Sequence, residues 1–104
     1  MDFLSREAIL HEMNDSLEHM LQKYNLEDIG IFEEEGGGDR YYLGYTVRKN
    51  GEVYMVHMPF VKNEEGQLAR LEEGWVIESD EGDGSEARGY ENLDDAFNYL
   101  ELGF

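Results

Sequence analysis

The chain has 104 residues and carries 25 acidic against 8 basic side chains, which gives a formal net charge of −17. Such a charge repels phosphate backbones and anionic headgroups, so we expect neither nucleic acid nor a membrane as partner. Basic proteins and cationic ligands are the partners that this charge favours. Acidic excess is more often a matter of plain solvation, or of a host adapted to salt or alkali, than of function.

The length predicts one domain over residues 1–104, and the hydrophobic share of 40% fits an ordinary globular chain. There is no cysteine, which excludes disulfides and thiolate chemistry. The first residues, MDFLSRE, lack the basic segment and apolar run of a signal peptide, and no stretch is apolar enough to span a bilayer. We therefore expect a cytoplasmic protein.

The first predicted element is an amphipathic helix from about residue 6 to residue 24. Ser5 is a suitable N-cap, and Asn25 can take the left-handed conformation that ends a helix. Apolar side chains recur at three- and four-residue spacing and form one arc: Ile9, Leu10, Met13, Leu17, Met20, Leu21 and Tyr24. The helix therefore has one face to bury.

A strand is predicted over Asp28–Glu34, followed by a hairpin over Arg40–Val61 whose turn is Asn50-Gly51. A two-residue type I′ turn fixes the register and places Tyr45 opposite Val56. One face of the hairpin then carries only apolar and aromatic side chains. The opposite, mixed face carries Arg48, Thr46, Gly44 and Tyr42 against Val53, Met55, His57 and Pro59.

After a turn at Asn63–Gly66, we predict that Lys62 pairs with Gln67, which would bring Trp75 beside Tyr54. A bulge at Glu72–Gly74 or a short helix over Glu64–Glu72 are the alternatives for this segment. Trp75–Ser79 is predicted to be a strand. Next comes a glycine- and acid-rich turn over Asp80–Gly84, and then a short strand over Glu86–Tyr90. The last predicted element is a helix over Leu93–Leu102, with Asn92 as its N-cap and Gly103 and Phe104 at its end.

The order of elements predicts an α+β fold in two layers. An antiparallel meander sheet of four to five strands would carry the N-terminal and C-terminal helices on its apolar face, because each helix has one apolar side.

No motif assembles a nucleophile, a base and an orienting group, so we expect no enzyme, and no cofactor or metal site is predicted. His11, Asp15 and His19 follow one helical ridge, but the outer two lie about 12 Å apart, too far to share an ion easily. The segment Ser79–Tyr90 resembles a calcium loop but lacks the bidentate glutamate at its last position.

The candidate binding residues therefore lie on the mixed face of the hairpin, where several side chains are apolar although an outer face is usually polar. They are Tyr42, Thr46, Arg48, Val53, Met55 and His57. The first hypothesis is a noncatalytic protein-interaction or regulatory module that uses this face and the acidic rim. One variant is an antagonist of a basic nuclease or DNA-binding protein.

The alternative is a small-ligand or divalent-cation binder in which the small Gly44 leaves space beside His57. Homodimerisation through the mixed face or an exposed strand is compatible with either hypothesis.

The first helix, the strand IGIFEEE and the hairpin YYLGYTVRKNGEVYMVHMPFVKNEEG together resemble a family of small acidic proteins of unknown function from Gram-positive, Bacillus-like bacteria. The resemblance covers most of the chain and implies a cytoplasmic bacterial protein. It carries no catalytic residues over to this sequence, since the shared motifs are structural.

Overall fold

A computed structural model describes residues 2–71, 74–79 and 86–101, except for the side chains at 86–88 and 99–101. Within these residues the elements are α1 (Arg6–Lys23), β1 (Asp28–Glu35), β2 (Arg40–Lys49), β3 (Glu52–Lys62), β4 (Leu68–Arg70), β5 (Trp75–Ser79), β6 (Glu86–Tyr90) and α2 (Leu93–Glu101). The predicted α+β class is confirmed. The predicted turn over Asp80–Gly84, the pair Glu72-Glu73 and the helix end at Gly103 and Phe104 lie outside the described residues.

Both ends of α1 follow from its sequence. The Ser5 hydroxyl accepts a hydrogen bond from the Ala8 amide at 3.1 Å. At the other end Asn25 has a φ of 54°, and the Leu26 amide donates to the Leu21 carbonyl at 2.9 Å. This is a Schellman motif, which buries Leu26 against the helix that it ends. Among the described residues, no helix is both long and apolar enough to cross a membrane.

The predicted hairpin is confirmed pair by pair, from Lys49 opposite Glu52 to Arg40 opposite Val61. Asn50 and Gly51 have φ angles of 54° and 79°, as a type I′ turn requires. Gly51 tolerates this conformation because it has no Cβ.

The tip of the hairpin is held against the connection between α1 and β1. The Lys49 ammonium donates to the Tyr24 carbonyl at 2.9 Å, where the negative end of the helix dipole favours a cation. The Gly51 amide donates to the Glu27 carboxylate at 2.6 Å. Helix end, connection and turn therefore form one hydrogen-bonded unit.

The strands form one antiparallel sheet in the order β1-β2-β3-β5-β6, with β4 paired to β3 beside this path. Both helices pack on the face predicted to be apolar, where α2 contributes Ala96 and Phe97 to the core. The Tyr24 and Phe97 rings stack with centroids 4.1 Å apart and join the two helices. The core members of the main cluster are Met20, Tyr24, Leu26, Tyr45, Val47, Tyr54, Val56, Ile77, Ala96 and Phe97.

The prediction for the segment after the hairpin was wrong in its register. Lys62 pairs with Leu68 rather than Gln67, and Tyr54 pairs with Ser79 rather than lying beside Trp75. The predicted single strand is split into β4 and β5, which pair with successive stretches of β3, and this raises the strand number to six. The alternative helix over 64–72 does not form, since Leu68–Arg70 is a strand. Between Phe60 and His57 lie three steps of β3, whereas six steps separate their partners Arg70 and Val76, so the shift exceeds a one-residue bulge.

A bidentate ion pair connects the start of α1 to β1. The Arg6 guanidinium donates from Nε and Nη2 to the two carboxylate oxygens of Glu33, both at 2.6 Å, and from Nε to the Tyr41 hydroxyl at 3.2 Å. The hydrogen bonds from Arg6 hold the pKa of the Glu33 carboxyl below its ordinary value of 4.5. Arg6 and Glu33 remain partly exposed, so solvent screening limits this contribution to about 1 kcal/mol.

We predict that Glu33→Gln reduces stability at neutral pH and flattens the acid limb of the stability profile. The folded-state pKa of Glu33 lies below its unfolded-state pKa, so this stabilisation is complete above about pH 4.5 and is lost as the pH falls through the folded value. Urea unfolding at a series of pH values should therefore show wild type and variant converging in acid. Glu34→Gln removes the same charge from the other face of β1 and serves as control. A constant gap between wild type and Glu33→Gln at all pH values would contradict the prediction.

Candidate functional site

The mixed face predicted from the hairpin is the side of the sheet that points away from both helices; we call it the open face. The strand registers place on it alternate residues of β1, β2, β3 and β5. All six predicted binding residues belong to this face. Within the described residues, both helices contribute their buried side chains to the opposite side.

At the centre of the open face the His57 ring is covered by two aromatic side chains. Phe32 stacks on it with ring centroids 5.2 Å apart, and Tyr42 meets it edge-on at 5.7 Å. The His57 side chain is only 12% exposed as a result. The structure thus brings Tyr42 and His57 into contact, with Phe32 as a third member of the cluster.

Gly44 makes this arrangement possible. It pairs with Phe32 on one side and with His57 on the other, and it is buried. A Cβ at this position would overlap the Val56 carbonyl oxygen and lie 2.9 Å from the His57 Cβ. The space that we expected beside His57 is therefore filled by the β3 backbone, which leaves no room there for a ligand.

The polar atoms of His57 have unequal surroundings. Nε2 lies 3.4 Å from the Glu78 carboxylate, which β5 presents on the open face. Nδ1 is buried and has no hydrogen-bond partner among the described residues. A buried imidazole nitrogen without a partner carries a desolvation cost, so this cluster is held together by ring packing more than by hydrogen bonding.

The other four predicted residues extend the open face toward the hairpin tip. Thr46 pairs with Met55, and Arg48 pairs with Val53. Thr46, Val53 and Met55 are half-buried, whereas Arg48 is exposed. They lie beside the aromatic cluster and continue its surface.

Two residues of this site were absent from the predicted set. Phe32 could have been included, because period-two alternation already placed it opposite to Ile29 and Ile31 on β1. Glu78 could not, since its position beside His57 depends on the β3–β5 register, which the sequence did not reveal.

The predicted ridge of α1 shows no convergence of ligands. His11 and Asp15 are paired at 3.4 Å, with side chains 80% and 66% exposed. Over residues 2–71, 74–79 and 86–101, no three histidine or carboxylate side chains are grouped so that they could hold a metal ion. The geometry adds no support to a divalent-cation site.

We predict that Gly44→Ala destabilises the fold by about 1–3 kcal/mol, the usual range for forcing extra atoms into a packed site. The overlap is with backbone atoms of β3, which cannot move without disturbing the ladder. Gly30→Ala is the matched control: Gly30 lies on the same face and a Cβ there meets nothing within 4 Å. Urea unfolding should separate the two variants. Equal effects of both would show that close packing at Gly44 does not matter.

We also predict that the three histidines differ in reactivity toward diethyl pyrocarbonate, which acylates exposed imidazole nitrogens. His11, at 80% exposure, should react fast, and His57, at 12%, slowly. Phe32→Ala should accelerate labelling of His57, whereas Ile31→Ala, which removes a side chain from the other face of β1, should not. Peptide mass spectrometry measures each site. Fast labelling of His57 in the wild-type chain would contradict the stacked arrangement.

Comparison with known proteins places the chain within one family. The model of the family of unknown function DUF5634 matches residues 3–100, which is nearly the whole chain. No curated protein matches it. The family match is consistent with the resemblance of the helix, the first strand and the hairpin to a family of unknown function. The match assigns no activity. The chain belongs to the DUF5634 family.

Proposed function

We propose that the protein is a noncatalytic interaction module whose open face docks a basic protein. The observation that carries this proposal is the contiguous aromatic and apolar surface on the side of the sheet that neither helix covers. A solvated face of an antiparallel sheet is normally polar, whereas this one is not. Its half-buried apolar members are Phe32, Tyr42, Val53, Met55, Val61 and Val76, and Pro59 lies buried among them.

The shape of this surface suits a protein more than a small molecule. The β3 backbone fills the space beside Gly44, and the Phe32 ring stacks on the His57 ring. The centre of the open face is therefore closed to a small ligand. A small ligand needs a concave site, whereas a protein partner can bury a flat aromatic surface. Aromatic side chains at the centre of a patch are also typical of residues that dominate binding energy.

Charge supports a basic partner. Carboxylates of Asp28, Glu34 and Glu78 stand on or around the open face. Two described cations share this face: Arg48, which is exposed, and Arg40, whose guanidinium lies over the Tyr42 ring. The chain as a whole has a net charge of −17, which attracts a basic protein over long range and raises its association rate. Two copies of this chain would repel each other for the same reason, so a different protein is favoured over a homodimer.

The resemblance to small acidic proteins of Gram-positive bacteria supports a cytoplasmic partner from such an organism. DNA-binding proteins and nucleases are among the basic proteins of that compartment, since they must bind polyanions. Binding to one of them would make the present chain a regulator by occlusion.

The test is photo-crosslinking in a Gram-positive lysate with a photoreactive amino acid at Thr46, on the open face, and at Glu18, on the exposed side of α1, as control. We expect a discrete adduct with one basic protein from position 46 only. The purified partner should then bind one to one in calorimetry, with an affinity that falls steeply as salt is added.

Met55→Lys should weaken this binding by about tenfold or more, because it places a cation against a basic surface. Gln22→Lys adds the same charge on α1 and should change the affinity little. Adducts that form equally from both positions, an adduct with a second copy of the chain, or an acidic partner would each overturn the proposal.

A further inference from the structure

A cleft of about 400 Å³ opens on the helix side of the sheet. Members of both hydrophobic clusters line it: Tyr45 from the main cluster, and Leu43 and Leu68 from the smaller one. The first half of α1 forms one wall of the cleft through Met13, and β5 forms another through Trp75. Its volume falls within the usual range for small-molecule sites.

The lining of this cleft is largely apolar. Leu43, Tyr45 and Met58 contribute to it from β2 and β3, and the Tyr45 and Trp75 rings lie 6.2 Å apart and nearly parallel. Trp75 and Met13 are only half-buried, so the described residues leave part of their surface uncovered. Transfer of an apolar group onto such a surface is favourable, by about 25 cal/mol for each Å² removed from water.

The rim is fixed by backbone hydrogen bonds. Leu4 exchanges two of them with Leu68, at 2.9 and 2.8 Å, which adds a bridge to the outer side of β4. This bridge holds the N-terminal segment, with Asp2 and Leu4, at the edge of the cleft. Leu4 is 55% exposed there and extends the apolar wall to the surface.

The charged groups at the cleft are Asp2, Glu12 and Arg70. The Arg70 guanidinium donates a hydrogen bond to the Glu91 carbonyl at 3.3 Å. This bond directs it to a residue outside the cleft lining. Glu12 and Tyr45 line the same cleft, and burial, with a smaller contribution from the Glu12 charge, raises the pKa of the Tyr45 hydroxyl. The cleft therefore carries two carboxylates, of Asp2 and Glu12, and one guanidinium, of Arg70. This excess of negative charge favours a positively charged group at the mouth of the cleft.

We propose that this cleft binds a small amphipathic cation, with an alkyl or aryl body between Met13 and Trp75 and an ammonium group at Glu12 and Asp2. The aromatic pair of Tyr45 and Trp75 adds an apolar ring surface against which the body of the ligand would pack. This site is independent of the open face, so its failure would leave the proposed interaction function untouched.

Trp75 is the single tryptophan of the chain, so its fluorescence reports on the cleft directly. We would titrate the full chain with decyltrimethylammonium, decyl sulfate and decanol, each below its micellar concentration or solubility limit. The cation should give a saturable change in Trp75 emission, with an affinity about tenfold or more above those of the anion and the alcohol.

Two charge variants test the assignment of the head group. Glu12→Gln should weaken binding of the cation about three- to fivefold, as loss of a partly exposed ion pair does. Glu18→Gln removes the same charge from the same helix but away from the cleft, and should keep the affinity within about twofold. Amide shifts on titration should be confined to residues around Met13, Leu43 and Trp75.

Several outcomes would overturn the proposal. They are a non-saturable response, equal affinity for decyl sulfate or decanol, equal weakening by both charge variants, and amide shifts spread over the whole surface. Sedimentation of the free chain tests whether a second copy of the chain occupies the cleft. A dimer that dissociates when the cation is added would mean that the cleft is an interface between copies, and this too would overturn the proposal.

Discussion

The register of the central hairpin is the constraint on which the other features depend. Asn50 and Gly51 close it with positive φ at both turn positions, and this fixes which residues of β2 and β3 face the helices. A slip by one residue would carry Tyr45 to the open face and bring His57 into the core. The same turn is bonded to the end of α1 through the Gly51 amide, so the position of the helix over the sheet depends on it as well.

Features fixed by neighbours in sequence were predictable, and those fixed by distant segments were not. The caps at Ser5 and Asn25 and the hairpin pairs require only a few adjacent residues, and all were correct. The pairing of β4 and β5 with β3 depends on a displacement between residues 70 and 75. No local pattern sets the size of that displacement, because an apolar residue at either register meets an apolar face. The register error therefore arose in the segment where the alternation of apolar and polar side chains does not distinguish one register from another.

The candidate site divides in the same way. Tyr42 and His57 were correctly placed on the open face by the hairpin, but the role of Gly44 was misjudged. A glycine in a strand indicates either space or close approach, and only the distance between backbones decides between them. The cleft beside Trp75 was invisible in the sequence, because it arises from how α1, the Leu4–Leu68 bridge and β5 are placed relative to one another.

The small number of cationic side chains is the physical basis of the positive occupants proposed for both surfaces. Several of them join elements that are remote in sequence: Arg6 with Glu33, Lys23 with Asp94, Lys62 with Glu35, and Lys49 with the end of α1. Placed at these junctions, they offset the self-repulsion that a charge of −17 imposes on the compact chain, but they are then unable to neutralise the carboxylates of the open face or the cleft rim. The cationic partner proposed for either surface would supply the missing positive charge. Because it binds the folded chain, where those carboxylates are concentrated, it also stabilises the fold by mass action. The proposed recognition of cations would thus be coupled to the stability of the fold through the same deficit of positive charge.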